Sequence, residues 1–292
     1  MYHTPFIPIS LLSISIFFIC CNAKIAEVDR QNKPATTIDL FFVDSCQGMT
    51  VRDRIAVPSG FERKEYDDHS FQQYILTLPL KPCESSVVSY SGDTMHYPDE
   101  IVGVYDIALT KEDILQCADM LMKIRAEYLY AEKRYDEIIF TITNGMVVPF
   151  SKFAAGYRVK VSGGNQTQWV CSGEKGFTRE VFDSYLTFIY YYAGTLSLNK
   201  TSIPVDINEI EIGDFFIIGG SPGHCMMMVD KAYNKETKET AILLGQGYMP
   251  SQDFHLLYPT EDFANKWFII HEQDSSFYIY GYVFDTIKRF AH

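Results

Sequence analysis

Neither CxxC nor CxxxC occurs among the seven cysteines of this 292-residue chain, and HExxH is absent. The first absence argues against a zinc knuckle and the second against a helical zinc-protease motif, so no cofactor and no metal ligand set is expected. Cations are scarce: 25 Lys and Arg against 37 Asp and Glu give a formal net charge of −12. Such a surface repels phosphate backbones and anionic lipid, which argues against nucleic-acid binding and polybasic membrane contact. Internal repeats and low-complexity blocks are missing too. At 47% apolar and 15% aromatic residues, there is ample material for a sizeable core.

Residues 1–23 carry no Lys, Arg, Asp or Glu. Within them Phe6 to Cys21 is an apolar run of 16 residues broken by Pro8 and three serines. It is short for a bilayer span and reads as a signal-peptide core, so the chain is expected to be exported to the cell envelope. Cys20-Cys21-Asn22 after Phe17-Phe18-Ile19 resembles a bacterial lipoprotein box, with Cys21 the lipidated residue, although Cys21-Asn22-Ala23 also satisfies a small-x-small cleavage site. The n-region lacks the cations of both patterns. Membrane attachment is expected only through this N-terminal anchor. Residues 24–50 are polar and irregular and fit a tether, leaving 51–292 as one globular body. Cys46, Cys83, Cys117, Cys171 and Cys225 would remain after processing, an odd number, so one thiol at least stays free or pairs with another chain. Cys83 and Cys171 lie in loops and suit a disulfide.

Thr110-Lys111-Glu112-Asp113 has the chemistry of a helix N-cap, and Ile114, Cys117, Leu121, Ile124, Tyr128 and Leu129 recur at helical spacing, predicting a helix from Lys111 to about Arg134. A second, aromatic helix runs from Thr178 to about Tyr192. Further on, strands are expected at 212–218, 224–230, 241–247, 253–258 and 278–284. Helices followed by an antiparallel sheet define an α+β class.

Ile212 to Ile218, the turn Gly219-Gly220-Ser221-Pro222-Gly223, and His224 to Asp230 form a hairpin that places an imidazole at the first residue of a strand. Acyl transfer by a thiol needs a thiolate, an imidazole to take and return its proton, and a polar group to orient the ring. Gln246, on the neighbouring strand, has an amide able to reach His224, whereas Asp230 sits about 20 Å further along the same strand. Cys225 points to the face opposite His224. Asp214 is expected to bond backbone amides around the 219–223 turn. His255 and His271 have no ligand partner at close spacing.

The Gly213-Asp214 strand leading to Gly223-His224 resembles the C-terminal half of the NlpC-type cell-wall peptidases, papain-like cysteine endopeptidases acting on peptidoglycan stems. The resemblance implies a papain-like core within about 105–260, with His224 as base and Gln246 as its orienter. Cys117-Ala118-Asp119 with Arg125-Ala126 resembles the cysteine-bearing helix of papain-like and transglutaminase-like enzymes, where the thiol stands at a helix N-terminus. A helix starting at Lys111 instead buries Cys117 two turns in, as inert packing; the catalytic reading requires a start near Gln116. More broadly the chain resembles an uncharacterised family of bacterial exported proteins, domain of unknown function 4846, through Leu115-Gln116-Cys117-Ala118-Asp119, Pro149-Phe150-Ser151-Lys152, Tyr192-Ala193-Gly194-Thr195-Leu196-Ser197-Leu198 and Gly220-Ser221-Pro222-Gly223-His224. That resemblance implies the compartment and no activity.

Two functional classes follow. One is a cell-envelope cysteine-dependent amide hydrolase or acyl transferase, using Cys117, His224 and Gln246 on a peptide or peptidoglycan-like substrate. The other is a non-catalytic envelope-binding lipoprotein with a degenerate site. The N-terminal reading has its own test: mass spectrometry of the mature protein should find a chain beginning at diacylated Cys21. An unlipidated start at Lys24 would overturn it.

Overall fold

The computed structural model describes residues 48–97, 101–259 and 265–291. The expected signal segment with Cys21, the tether up to residue 47 and Cys46 lie outside the described residues. The last three positions of the expected tether already belong to the body. Arg54 donates through Nε and Nη2 to the Gly48 carbonyl at 2.9 and 2.7 Å, and the Met49 carbonyl accepts Leu80 N–H at 2.8 Å.

From Thr50, whose hydroxyl caps the first turn, come helix α1 (Val51–Arg54), strand β1 (Glu62–Arg63), helix α2 (Phe71–Leu76, capped by Ser70) and strand β2 (Ile101–Val104). The long helix α3 (Cys117–Ala131) is followed by the hairpin β3 (Ile139–Thr141) and β4 (Val147–Pro149), which turns at Asn144-Gly145. Helix α4 (Phe150–Ala154) leads into the hairpin β5 (Tyr157–Ser162) and β6 (Gln166–Cys171). Helix α5 (Arg179–Tyr192) lies where the aromatic helix is expected, with Thr178 as its N-cap, and α6 (Thr195–Thr201) follows it closely. The remainder is strands: β7 (Ile203–Val205), β8 (Phe215–Ile218), β9 (His224–Asn234), β10 (Glu239–Gln246), β11 (His255–Leu257), β12 (Phe268–Ile270), β13 (Phe277–Ile279), β14 (Tyr282–Phe284) and β15 (Ile287–Arg289).

Among the described residues, nine strands form one antiparallel sheet in the order β2-β11-β10-β9-β8-β15-β7, with β1 on β9 and β12 on β10. The α+β class holds, but the elements are less segregated than expected. Strands β1 and β2 come from before the long helices α3 and α5, the two small hairpins lie between those helices, and the stretch 278–284 is a tight hairpin rather than one strand, turning at Tyr280-Gly281. No helix among the described residues is long and apolar enough to cross a membrane.

The central strands are apolar on both faces because both are covered. Phe215, Ile217, Cys225, Met227, Val229 and Leu243 join the helices α3 and α5 in the larger core. Phe216, Met226, Met228, Ile242 and Leu244 pack with Ile279, Phe284 and Ile287 in a second one. A bulge between Leu243 and Leu244 shifts the β9–β10 register and keeps these alternations in step on both sides of it. Asp230 lies fully buried and is paired with Arg63 at 2.7 Å, away from the His224 end of β9.

The Gly213-Asp214 pair has a physical reason different from the expected one. Gly213 adopts φ +94°, and a Cβ there would stand 2.7 Å from the Phe71 ring, so only glycine fits. Asp214, 1% exposed, accepts Glu211 N–H at 2.7 Å and a two-pronged bond from Arg289 at 2.6 and 2.8 Å. It thus ties β15 to the start of β8. The 219–223 turn is held instead by Thr195, whose hydroxyl donates to the Gly220 carbonyl at 3.1 Å. Replacing Asp214 by alanine should lower the unfolding free energy by about 2 kcal/mol, through loss of charge-assisted bonds to an arginine that can regain water. Urea melts of Asp214→Ala and wild type measure this, and coincident curves would contradict it.

Candidate active site

The helix bearing Cys117 does not start where the N-cap chemistry at Thr110 places it. The Thr110 hydroxyl donates instead to the Glu112 carbonyl at 2.8 Å. Residues 113–116 are drawn onto the loop after β10. Asp113 Oδ1 accepts Ser251 N–H at 2.6 Å and the Gln116 side-chain amide at 3.2 Å, while Ser251 Oγ donates to the Leu115 carbonyl at 2.9 Å. A helical path through 111–116 would forfeit these bonds. Gln116 is accordingly extended (φ −94°, ψ −157°) and serves as N-cap, with its N–H bonded to Asp119 Oδ2 at 3.1 Å. The first intrahelical bond is Met120 N–H to the Gln116 carbonyl. Cys117 is therefore the first residue of α3, with the positive end of the helix dipole behind its sulfur. The expectation of a mid-helix, core-packed cysteine is corrected: Cys117 is half-buried and lines a cleft.

His224 opens β9 and Gln246 ends β10, so their side chains meet at one end of the sheet. His224 Nε2 and Gln246 Oε1 are 2.7 Å apart, both residues being buried. Nδ1 is then the ring nitrogen left for the thiol. Gly247 lets α3 come this close: a Cβ there would lie 3.2 Å from Met120 and 3.3 Å from the Gln116 carbonyl.

The Cys117 thiol is held well below its ordinary range, at about 5. The largest contribution is a bond donated by the Cys225 thiol. Burial opposes it, and the bond and charge of His224 together with the Ala118 N–H add to it. Cys225 is on the opposite side of the strand from His224, as alternation requires, but that side faces α3 and places its sulfur against Cys117. Burial pushes the Cys225 thiol well up, so it remains the donor of the pair. Burial likewise pushes the Asp119 carboxyl well above the usual carboxylate range. Its Oδ1 and the Tyr190 hydroxyl are buried polar atoms without a protein partner, and both residues line the cleft.

Several contributors escaped the sequence reading. Tyr282, from the β13–β14 hairpin beyond the expected papain-like core, stacks on His224 with ring centroids 4.7 Å apart, and Tyr248 meets the same ring edge-on at 5.1 Å. The two hydroxyls are bonded to each other at 3.1 Å. The imidazole is thus clamped in plane and shielded from water. His255 pairs with Gln246 in register across β10 and β11, and its Nε2 is 3.2 Å from the Gln246 amide nitrogen. Aromatic residues at 248 and 282 carry no sequence signal of this role, and the His255 contact depends on a hairpin register that spacing does not reveal.

The cleft encloses about 750 Å³, within the range of ligand pockets. Besides Cys117 and His224 its lining includes Asp113, Asp119, Tyr191 and Met249, with no lysine or arginine. A smaller cavity of about 240 Å³ is lined by Arg125, Glu137, Ser202 and Phe290 among others, with no cysteine or histidine among the described residues of its lining. Among the described residues no group of three or more His, Cys, Asp and Glu is placed to hold a metal ion. Of the remaining cysteines, Cys83 is disulfide-bonded and Cys171 is free and exposed.

This geometry sets an expected pH profile. Iodoacetamide should alkylate Cys117 in the folded protein with a midpoint near pH 5, and His224→Ala should move that midpoint up towards the free-thiol value of about 8.5. Peptide mapping separates this label from that of exposed Cys171. Labelling of Cys117 only after denaturation would show that the thiol is inaccessible.

Comparison with the curated proteins and with the solved structures finds no match to this chain. Residues 51–289 match the family model described as Domain of unknown function (4846). The match takes in every element from α1 to β15, including the cleft and all the side chains around it, and on that footing the chain belongs to the family of domain of unknown function 4846.

Proposed function

We propose that the protein is a cysteine-dependent amide hydrolase or acyl transferase of papain-like type, acting in the cell envelope on a peptide or peptidoglycan-like substrate. The observation that carries this reading is the 2.7 Å bond between His224 Nε2 and Gln246 Oε1 behind a cysteine at the N-terminus of a helix. The envelope location rests on residues 1–23 and the lipid attachment at Cys21.

In this reading the proton leaving Cys117 resides on His224 Nδ1, and the thiolate attacks the acyl carbon of the scissile amide. The developing oxyanion is favoured by the positive end of α3. His224 returns the proton from Nδ1 to the leaving amine, which departs and leaves a thioester on Cys117. Water, or a second amine, then attacks the thioester carbon while His224 Nδ1 takes its proton and passes it to the departing sulfur. Gln246 does not exchange protons; its carbonyl holds the ring through Nε2–H. With Asp113 in the lining and no lysine or arginine there, substrates that are neutral or positively charged near Asp113 are favoured over those with carboxylates at that point.

The test is digestion of isolated peptidoglycan and of amide-linked peptides, with new amino termini followed by mass spectrometry. Wild type should generate them. Cys117→Ala should reduce the rate by about a thousand-fold or more, and Gln246→Ala by about a hundred-fold, through misplacement of the ring. A folded wild type that releases no amine, forms no thioester and has an inaccessible Cys117 would favour the non-catalytic envelope-binding role.

A further inference from the structure

We propose that His255 is a positioning residue: by fixing which end of the Gln246 amide faces His224, it dictates that His224 keeps a proton on Nε2 and offers Nδ1 to Cys117. The inference rests on the thiol-hydrolase reading for its consequence and on a chain of buried hydrogen bonds for its geometry.

The chain is determinate because its far end is a backbone carbonyl. His255 Nδ1 lies 2.9 Å from the Asp253 carbonyl oxygen, which only accepts, so Nδ1 carries the hydrogen. His255 is 0% exposed. Among the described residues no carboxylate acts on its ring: the Asp253 carboxylate is taken by Lys81 at 2.7 Å and by Val88 N–H at 2.8 Å. The Tyr97 ring packs against it at 5.3 Å, with the Tyr97 hydroxyl accepting from Gln252. Burial and the neighbouring His224 hold the His255 imidazole down at about 4, so at neutral pH it is uncharged and Nε2 is a pure acceptor.

An acceptor at that point selects one of the two orientations of the Gln246 amide. The NH₂ end must face His255 at 3.2 Å, and Oε1 must face His224 at 2.7 Å. His224 Nε2 is then necessarily the donor. Were the amide reversed, two acceptors would be opposed inside the protein at the His255 side. On the other side its NH₂ would require a bare Nε2, moving the neutral ring's hydrogen to Nδ1. Nδ1 would then face Cys117 as a donor with no lone pair to receive the thiol proton. The Gln246 amide thus transmits to His224 a tautomer decided at Asp253.

Two measurements test this. Two-bond proton–nitrogen NMR on histidine-labelled Cys117→Ala protein at pH 8 should show His224 as the Nε2–H tautomer and His255 as the Nδ1–H tautomer. His255 found as Nε2–H, or a mixture at His224, overturns the proposal. In the otherwise intact chain, His255→Phe should move the pH profile of Cys117 alkylation up by about one unit, a tenfold drop in rate on its acid limb. His255→Gln supplies an oxygen near the lost Nε2 and should recover most of that shift, which a purely structural role would not predict. A folded His255→Phe whose profile coincides with wild type overturns the proposal, and if that variant does not fold, the tautomers decide. A wild-type Cys117 without an acid-shifted profile, alongside the assigned tautomers, would instead sink the hydrolase reading and leave the amide orientation standing.

Discussion

The constraint on which the site depends is the anchoring of residues 113–116 to Ser251. Asp113 and the Leu115 carbonyl each bond to that serine, and together they keep the backbone extended through Gln116. The helix then begins at Cys117 rather than a turn and a half earlier. A thiol in the middle of a helix has saturated backbone around it and no net dipole. At the first position it has free N–H groups and the positive helix end. One loop contact therefore separates a thiol packed within a helix from one at the helix N-terminus, lining the cleft.

A second dependence runs through the sheet. The long strand β9 brings His224 to one end, β10 returns Gln246 beside it, and β11 brings His255 beside Gln246. The polar chain is buried, so each member must be satisfied, and each donor or acceptor role restricts the next. Aromatic rings at Tyr248 and Tyr282 cover the imidazole. The Asp214–Arg289 pair, which ties β15 to β8, holds the C-terminal strands from which the β13–β14 hairpin rises to supply Tyr282.

The electrostatics around the sulfur are assembled from neighbours of different sequence origin. Cys225 follows the candidate base in the chain and faces the opposite way, and so contributes a buried thiol donor beneath Cys117. Asp119 stands two residues after Cys117, and burial favours its neutral form, which limits charge repulsion with a thiolate. The cleft's carboxyl groups come from Asp113 and from Asp119 on α3, and its tyrosines from α5, from β14 and from Tyr248 after β10.

Local pattern alone determined a good deal: the α+β class, the aromatic helix beginning about Thr178, the hairpin whose second strand opens on His224, and the neighbourhood of Gln246. These are properties of hydrophobic period, capping chemistry and turn residues within a few positions of each other. Tertiary structure alone decided the start of α3, the partners of Asp214, the contact between Cys117 and Cys225, and the contacts of His255 and Tyr282. Each of those depends on residues that come together across the fold, as Asp113 does with Ser251 and Gln246 with His255. Helix propensity near Thr110 amounts to some tenths of a kcal/mol per residue, whereas the two hydrogen bonds to Ser251, one of them buried, with the Gln116 amide bond beside them, outweigh it. Sequence periodicity reports the first kind of energy and is blind to the second.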